Sequence, residues 1–332
     1  MMNRARGIAV ITVLLALALG VLISSEIITR VYNGMKRSAN QFNALQASEY
    51  ALGGEAWARQ RLRVEWDKEK EKGIFKDHMH QEWALPAQTL DVEGGFIEIE
   101  IYDLQARFNL NNLIDTNGAV VPKQVHIFAR LLGTLAIPTN YADMAARWAS
   151  YTGVDNAYGT TSLPYREGNT YFGSISELRL LRDMDLAAYN RLAPYISAIP
   201  ILPDVAVSAV AININTAPEP ILLSMPTKTP AAERMQQFLN ERESDKEGFS
   251  DTGKYMSAMG GQVDAVLSTK SSYFEIRVRA QYGERRSYLI SVVYRDPATG
   301  EIRLLSRDKG QQFSVRGSAQ DAKKAGKNSA KS

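Results

Sequence analysis

The N-terminal segment decides the fold, and residues 1–26 read MMNRARGIAVITVLLALALGVLISSE. A short basic leader containing Arg4 and Arg6 comes before Ile8–Ser25, a stretch of 18 residues without a charge. A helix of about 20 apolar residues spans a bilayer, and flanking arginines keep their side in the cytoplasm. We therefore predict one membrane-spanning helix with a cytoplasmic N-terminus and the rest of the chain on the opposite side.

A glycine immediately before the apolar stretch indicates how the N-terminus is processed. A cut between Gly7 and Ile8 removes the basic leader and keeps the helix, and this arrangement resembles the prepilins of the type IV pilin class. We predict cleavage there by a prepilin peptidase, with Ile8 as the new N-terminus. Two alternatives stay open: an uncut anchor, and a secretory signal cut near Ser25, where Gly20 and Ser24 supply small residues.

Thr12 departs from the pattern of that class. The fifth residue after the cut is usually a glutamate, which pairs with the terminal amine of the neighbouring subunit ahead, and here it is Thr12. A carboxylate inside an apolar helix is costly unless it is paired, and threonine makes no such pair. We therefore expect that this chain has no subunit ahead of it, or that it does not assemble in this way.

A long helix and a small set of strands define the fold class. No proline interrupts residues 1–85, so the helix should continue from Ile8 to about Lys70. Strand signals follow at Phe96–Tyr102, Tyr273–Gln281, Arg286–Arg295 and Ile302–Leu305. Tyr282–Arg285, between the second and third of these, is a hairpin turn signal. Glu98 and Glu100 are two residues apart, so both should lie on one exposed strand face. The predicted class is α+β, a pilin-like N-terminal helix packed on an antiparallel sheet.

Helical patterns separate the first strand from the later ones. Candidate helices are Pro122–Leu135, Asn140–Tyr151, Ser174–Arg182 and Asp185–Ile196, and Ser174 with Glu177 forms an S-x-x-E capping box. We interpret residues 114–211 as an inserted α-helical domain. The predicted organisation is a leader (1–7), a transmembrane and long amphipathic helix (8–72), the α+β domain (73–113 and 212–305), the inserted domain (114–211) and a basic tail (306–332).

Charge and cysteine content restrict the function. The formal net charge is +3, and residues 306–332 hold seven Lys or Arg against two Asp. This tail has few large apolar residues, so we expect it to be disordered. The chain has no cysteine, which excludes disulfides and thiolate sites. We predict that it is not an enzyme, because common hydrolase and phosphate-binding motifs are absent, and we expect His78 and His80 to be solvated.

Six segments together resemble the K-type minor pseudopilins of type II secretion systems. They are RGIAVITVLLAL (6–17), RSANQF (37–42), EYALGGEAWARQRL (49–62), DLQARFNLNNL (103–113), SISELRLLRDMDLAAYNRLAPYISAIP (174–200) and ININTAP (212–218). The resemblance implies a subunit at the tip of a short periplasmic filament, which initiates and caps the filament for export of folded proteins. Absence of the glutamate at Thr12 is itself a feature of this family.

The resemblance also implies a location and a set of partners. The anchor is expected in the inner membrane, with the C-terminal domain in the periplasm. Expected partners are the I-type and J-type minor pseudopilins, the major pseudopilin, the prepilin peptidase and the inner-membrane assembly platform.

Relatives in this family can carry calcium in an acidic loop of the inserted domain. Calcium takes about six to eight oxygen ligands, whereas residues 148–159 contain a single acid, Asp155. Asp143 and Glu167 lie farther away along the chain. We therefore assign no cofactor from the sequence, and calcium at Asp143, Asp155 and Glu167 remains as a candidate.

The strongest alternative is a membrane-anchored DNA-binding or competence-type pilin protein, because ININTAP can open a helix-hairpin-helix module. That module needs a glycine-rich hairpin whose N–H groups reach phosphate. The corresponding turn here, Met225–Pro230, has no glycine, and its two prolines lack an N–H donor. We therefore predict no nucleic-acid partner.

Overall fold

The structure, a computed structural model, describes residues 2–151, 165–200, 202, 209–310 and 313, with side chains from residue 11 onward. Its helices are α1 (Met2–Lys72), α2 (Pro122–Thr134), α3 (Tyr141–Ala149), α4 (Leu186–Leu192), α5 (Glu219–Ser224), α6 (Ala232–Ser244) and α7 (Gly253–Ala258). Its strands are β1 (Gln88–Val92), β2 (Gly95–Asp103), β3 (Phe108–Asn109), β4 (Ile196–Ser197), β5 (Ile212–Asn213), β6 (Leu267–Ser268), β7 (Tyr273–Tyr282), β8 (Arg285–Arg295) and β9 (Ile302–Lys309).

The long N-terminal helix is confirmed. α1 has 71 residues, which at 1.5 Å per residue gives a length of about 105 Å. It begins at Met2, ahead of the predicted start at Ile8, and ends where Gly73 adopts a positive φ of 70°. A glycine in the left-handed region is the common way to end a helix, because it has no Cβ to clash.

Five strands form one antiparallel sheet in the order β1-β2-β7-β8-β9. The predicted hairpin is present as β7 and β8, joined at Gly283, whose positive φ of 54° suits the tight turn. α1 packs against one face of this sheet, which we call the inner face, and isoleucines and valines of β2, β7 and β8 fill the contact. We call the opposite side the outer face.

The inserted helical part is larger than the sequence suggested. β2 pairs directly with β7, so the whole chain between them, residues 104–272, is an insertion that we call the helical unit. Its core joins Phe108 and Phe128 to Phe238 and Tyr255, which places α5, α6 and α7 in the same cluster. The core of this unit extends past the predicted boundaries at 114 and 211, because residues on both sides of them are buried in one cluster.

Three further expectations need correction. β9 continues to Lys309, so residues 306–309, which were assigned to the tail, belong to the sheet. Glu98 and Glu100 share one strand face as predicted, but they are only 3% and 6% exposed. The predicted helix at Ser174–Arg182 is a short 3-10 helix, Ile175–Leu180, and its capping box with Glu177 is present.

Candidate functional site

The N-terminal third of α1 carries the residues predicted to be processed. Gly7 and Ile8 lie within the helix, and their side chains fall outside the described part. Thr12 is exposed on the apolar stretch, whose large side chains are also exposed, such as Leu15 at 70%. The helix is long and apolar enough to cross a membrane. An exposed apolar surface of this length is typical of a helix surrounded by lipid or by other helices.

The apolar surface continues beyond the predicted span. We define the lower stripe as the exposed residues Ile27, Val31, Met35 and Leu45. Charged residues such as Arg37 and Glu49 flank them along the helix. Phe42 is the first described side chain of α1 that packs on the chain's own sheet, edge to face on Tyr282 at a centroid distance of 6.0 Å, and Ala47 is the first described one that is fully buried. About 24 Å of helix therefore separates Glu26 from the sheet. The lower stripe is therefore an apolar surface without a cover among the described residues of this chain.

The segment ALGGEAWA fixes the upper part of α1 to the sheet. A Cβ at Gly54 would lie 2.6 Å from Val278 Cγ1 and 2.9 Å from Ile97 Cγ2, so the glycine permits a close helix–sheet approach. Glu55 accepts hydrogen bonds from Arg307 at 2.7 and 2.8 Å and from Ser291 Oγ at 2.6 Å. Burial raises the pKa of Glu55, but these bonds outweigh it and hold the pKa below its usual value.

A buried polar cluster connects the helical unit to the sheet and to α1. We call it the joint and define it as Asp77, Asp103, Asn213, Ser271 and Arg295. Arg295 donates to both carboxylate oxygens of Asp77 at 2.6 Å and to the Leu62 carbonyl oxygen of α1 at 3.4 Å. Ser271 donates through its backbone N–H to Asp77 at 2.7 Å. The joint therefore links the end of the long helix to β8.

Asp103, at the end of β2, is the central acceptor of the joint. Its Oδ2 accepts from Ser271 Oγ at 2.6 Å, from Thr216 Oγ1 at 2.5 Å and from Asn213 Nδ2 at 3.2 Å. Burial raises the pKa of Asp103 to about 6 despite these bonds, and the Asp77 carboxylate adds to the rise. This carboxyl group therefore changes its protonation near neutral pH inside the connection between the two parts of the molecule.

The asparagines of DLQARFNLNNL and ININTAP have a structural role that the sequence did not reveal. Asn111 Nδ2 donates to the carbonyl oxygens of Phe172 at 3.1 Å and Ile199 at 2.9 Å. Asn215 Nδ2 donates to the carbonyl oxygen of Phe249 at 2.9 Å, and its Oδ1 accepts from the Phe249 N–H at 3.0 Å. Buried amides that satisfy backbone groups of distant loops fix the path of those loops. The signal that could have identified them is the density of asparagine in two apolar segments.

The histidines and the candidate calcium ligands do not form a site in the described part of the chain. Asp143 is exposed on α3, Glu167 is buried, and Asp155 lies outside the described residues. Among those residues, no group of three His, Asp or Glu side chains is arranged to hold a metal ion. The expectation of a solvated His78 was wrong, because His78 is buried and burial lowers its pKa to about 4. The assignment of no cofactor, with calcium as a candidate, stays a prediction.

The turns that a DNA-binding module would expose are used for packing. Pro226 in the turn Met225–Pro230 forms a β-bridge with Val263, and Thr227 N–H donates to the Gln262 carbonyl oxygen at 3.1 Å. Asp185 accepts a hydrogen bond from the N–H of Ala188 at 2.6 Å and so caps α4. These contacts agree with a packing role for the helical pairs rather than a phosphate-binding role.

Comparisons with known proteins identify the family. A Type II secretion system protein K from Pseudomonas aeruginosa is 33% identical over 325 residues, which cover 92% of this chain and 93% of that protein. The chain belongs to the type II secretion system protein K family. A relative of the same name from Pectobacterium carotovorum is 31% identical, with 86% and 90% of the two chains covered. The family model for type II secretion system protein K matches residues 106–201, within the helical unit.

A solved structure has the same fold as the present chain. The crystal structure of the GspK-GspI-GspJ complex from enterotoxigenic Escherichia coli contains a chain with a TM-score of 0.67 and 23% identity. The match covers 83% of this chain and all of that one. The protein K family consists of structural components of a secretion machine rather than enzymes. Membership identifies the chain as a minor pseudopilin that serves protein secretion, and its N-terminal apolar helix fits a membrane anchor.

Proposed function

We propose that this minor pseudopilin occupies the tip of the pseudopilus, where it initiates and caps the filament during export of folded periplasmic proteins. The observation that carries the proposal is the lower stripe, which continues the apolar surface of the anchor and lacks a cover within the described chain. Apolar helix surfaces of this kind are buried by association with other helices. Neighbouring pseudopilin helices in a filament are therefore the proposed cover.

Two features support a position at the tip. Thr12 stands where a subunit with a neighbour ahead carries a glutamate, so this chain needs no amine from another subunit to neutralise a buried carboxylate. The helical unit is attached near the end of α1 farthest from the anchor, because the Ser271 N–H and the Asn213 Nδ2 both donate to Asp77, shortly after the helix ends. A unit of this size at that end would obstruct the addition of a further subunit.

The proposed partners follow from the same arrangement. The solved relative was crystallised with the proteins GspI and GspJ, and we infer that the I-type and J-type minor pseudopilins of this system contact the present chain. The major pseudopilin, the prepilin peptidase and the inner-membrane assembly platform are proposed as further partners. In this arrangement the N-terminus is cytoplasmic, and the sheet and helical unit are periplasmic. A DNA-binding role is not favoured, because the Met225–Pro230 turn is engaged in packing.

Determination of the mature N-terminus tests the anchor part of the proposal. The full chain is extracted from membranes of cells with and without the prepilin peptidase, and its N-terminus is determined by mass spectrometry. We expect a start at Ile8 only when the peptidase is present. An intact Met1 in both strains, or a start after Ser25, would contradict the proposal.

Substitution of Thr12 tests the position at the tip. Thr12→Glu should reduce assembly and secretion or leave them unchanged, because no amine lies ahead to pair with the new carboxylate. Thr12→Val is the matched control, since it keeps the size without adding a charge. Improved secretion by Thr12→Glu relative to both wild type and Thr12→Val would rule out the tip position.

A further inference from the structure

A seven-residue repeat runs along the exposed part of α1 between the apolar stretch and the sheet. We define the heptad seam as the first and fourth positions of three successive repeats, which are Ile28, Val31, Met35, Ser38, Phe42 and Leu45. Its five large apolar side chains are all more than half exposed. Apolar residues at these two positions of a heptad form the contact line between helices that wind around each other.

The rest of the helix surface at this level is polar. The positions that face away from the heptad seam are, with the exception of Ala44, polar or charged: Thr29, Arg30, Asn33, Lys36, Arg37, Asn40 and Asn43. Residues 8–25, in contrast, carry no charge on any side. A narrow apolar stripe fits one partner helix, whereas a helix that is apolar all round is surrounded by lipid or by several helices. The pattern of α1 therefore changes to a single contact line beyond Glu26.

The chain's own sheet leaves the heptad seam open to such a partner. Phe42 touches Tyr282 edge to face, and its side chain is still 58% exposed. Leu45 lies one turn farther along α1 and is 67% exposed. From Ile28 to Leu45 the large apolar side chains of the seam are therefore available along about 26 Å of helix.

The charge of this segment distinguishes a second copy of the chain from a different partner. Arg30 pairs with Glu26 at 2.7 Å. Lys36 and Arg37 are exposed, and the nearest acids of α1, Glu26 and Glu49, lie about 15 Å or more away along the helix. Packed helices are about 8–10 Å apart, close to the Debye length of about 8 Å at physiological ionic strength. Two copies side by side would therefore repel each other, whereas a helix with acidic residues at this level would be attracted.

We propose that the heptad seam is the contact line for one parallel helix of a different pseudopilin, which carries its own apolar seam and acidic residues at the level of Lys36 and Arg37. The inference rests on the proposed function, because the filament supplies a partner that is anchored in the same orientation. The seven-residue period predicts a left-handed crossing of about 20° between the two helices. The polar side of α1 stays in contact with solvent at this level.

Protection of single thiols maps the contact, because the chain has no cysteine. Val31→Cys, Met35→Cys and Ser38→Cys place a thiol on the heptad seam. Asn33→Cys and Ala44→Cys place it at exposed positions on the side that faces away. The full chain is labelled in spheroplasts with a membrane-impermeant maleimide, in cells with and without the other pseudopilins. We expect their presence to slow labelling about fivefold or more at the seam, because a covered thiol reacts only when the contact opens. The two positions on the other side should react equally in both cells.

The alternative outcomes overturn the proposal in ways that can be told apart. Protection at all five positions would mean that several helices surround α1 at this level, which removes the single seam but leaves the proposed function intact. Protection at none of them would contradict both the seam and the proposed association surface. Protection in cells that produce this chain without the other pseudopilins would overturn the proposal too, because the partner would then be a second copy.

Two pairs of variants at exposed positions test the seam and its charge separately. Ser38→Leu adds an apolar side chain to the seam and should slow labelling of Val31→Cys further, whereas Asn33→Leu adds it on the other side and should not. Lys36→Glu should accelerate labelling of Val31→Cys, because it repels an acidic partner. Lys123→Glu makes the same change of charge on α2 and should have no effect. Equal effects within either pair would overturn the proposal.

Discussion

The two parts of α1 have opposite environments although they belong to one continuous helix. In the upper part, Ala51, Ala58 and Leu62 are buried against the chain's own sheet, and Gly54 permits the close approach. In the lower part, Val31 and Met35 are exposed to 56% and 68%. The comparison indicates that the upper part stabilises the folded chain, whereas the lower part is available for association. Substitutions of similar chemistry in the two parts should therefore have different consequences.

The largest contrast is expected between two leucines. Leu62→Ala should lower the free energy of unfolding by about 2–5 kcal/mol, because it leaves a cavity in a packed core. Leu45→Ala removes the same atoms from a side chain that is 67% exposed, and should change stability by less than about 0.5 kcal/mol. Denaturant unfolding of the full chain in detergent measures both. Equal losses would show that the lower part is also packed within the chain.

Two glutamates on α1 provide the next contrast. Glu55 is buried and hydrogen-bonded to Arg307 and Ser291. Glu55→Ala should therefore lower the free energy of unfolding by about 2–3 kcal/mol. Glu26 is exposed and pairs only locally with Arg30 at 2.7 Å, and an exposed pair of this kind contributes little. Glu26→Ala should therefore leave unfolding unchanged within error. The same unfolding experiment measures both variants. An unchanged free energy of unfolding for Glu55→Ala would contradict the role of Glu55 in holding α1 to the sheet.

Two adjacent glycines give a smaller and sharper test. Gly54→Ala should destabilise by about 1–2 kcal/mol, because the added methyl overlaps with Val278 and Ile97. At Gly53 nothing lies within 4 Å of an added Cβ, so Gly53→Ala should be neutral or stabilising through helix propensity by up to about 1 kcal/mol. Thermal unfolding of the two variants measures the difference. Destabilisation by both substitutions would mean that the close approach is not specific to Gly54.

The smallest expected effect is a pH dependence at the joint. The folded chain raises the pKa of Asp103 from 3.8 to about 6, so the folded state binds more protons than the unfolded state between those values. The contribution of Asp103 to the free energy of unfolding should therefore increase by about 1 kcal/mol as the pH falls from 7 to 5. Asp103→Asn should remove this increment, and Asp91→Asn on exposed β1 should not.

The wild-type pH curve alone does not isolate Asp103. The pKa of His78 is lowered to about 4, so in the same pH range the unfolded state takes up a proton that the folded state does not. This contribution decreases stability as the pH falls and opposes that of Asp103. The required quantity is the difference between wild type and Asp103→Asn at each pH. A difference that does not change between pH 7 and 5 would contradict the assignment.

The sequence predicted the elements that depend on local pattern. The long helix, the β7–β8 hairpin and the Ser174 capping box were visible because their signals lie in consecutive residues. The extent of the helical unit was not visible, since its core cluster includes residues as distant in sequence as Phe108 and Phe238. The extension of β9 to Lys309 was missed for the same reason: Arg307 reads as a tail charge until Glu55 is placed opposite it.

The buried polar residues were the hardest to predict. Glu98 and His78 are residue types that are usually exposed, and their burial depends on partners distant in sequence. Asp103 and Asn213 lie in two of the segments that carry the family resemblance, but their hydrogen bond at 3.2 Å requires the folded chain. The two motifs therefore indicated where the joint lies, but not that its side chains form a buried hydrogen-bonded cluster. In contrast, the proposed association surface on α1 was visible as part of a long amphipathic helix, although the pattern did not show which part the sheet covers.

Cysteine crosslinking along α1 tests the central claim most directly. Single cysteines are introduced at Met35 in the lower part and at Ala56, an exposed position in the upper part, of the cysteine-free full chain. Crosslinking is then measured in membranes of secreting cells. The account predicts that Met35→Cys crosslinks to another pseudopilin, and that Ala56→Cys does so several-fold less. Absence of a crosslink at Met35→Cys in cells that secrete normally would contradict the assignment of the lower stripe as the association surface.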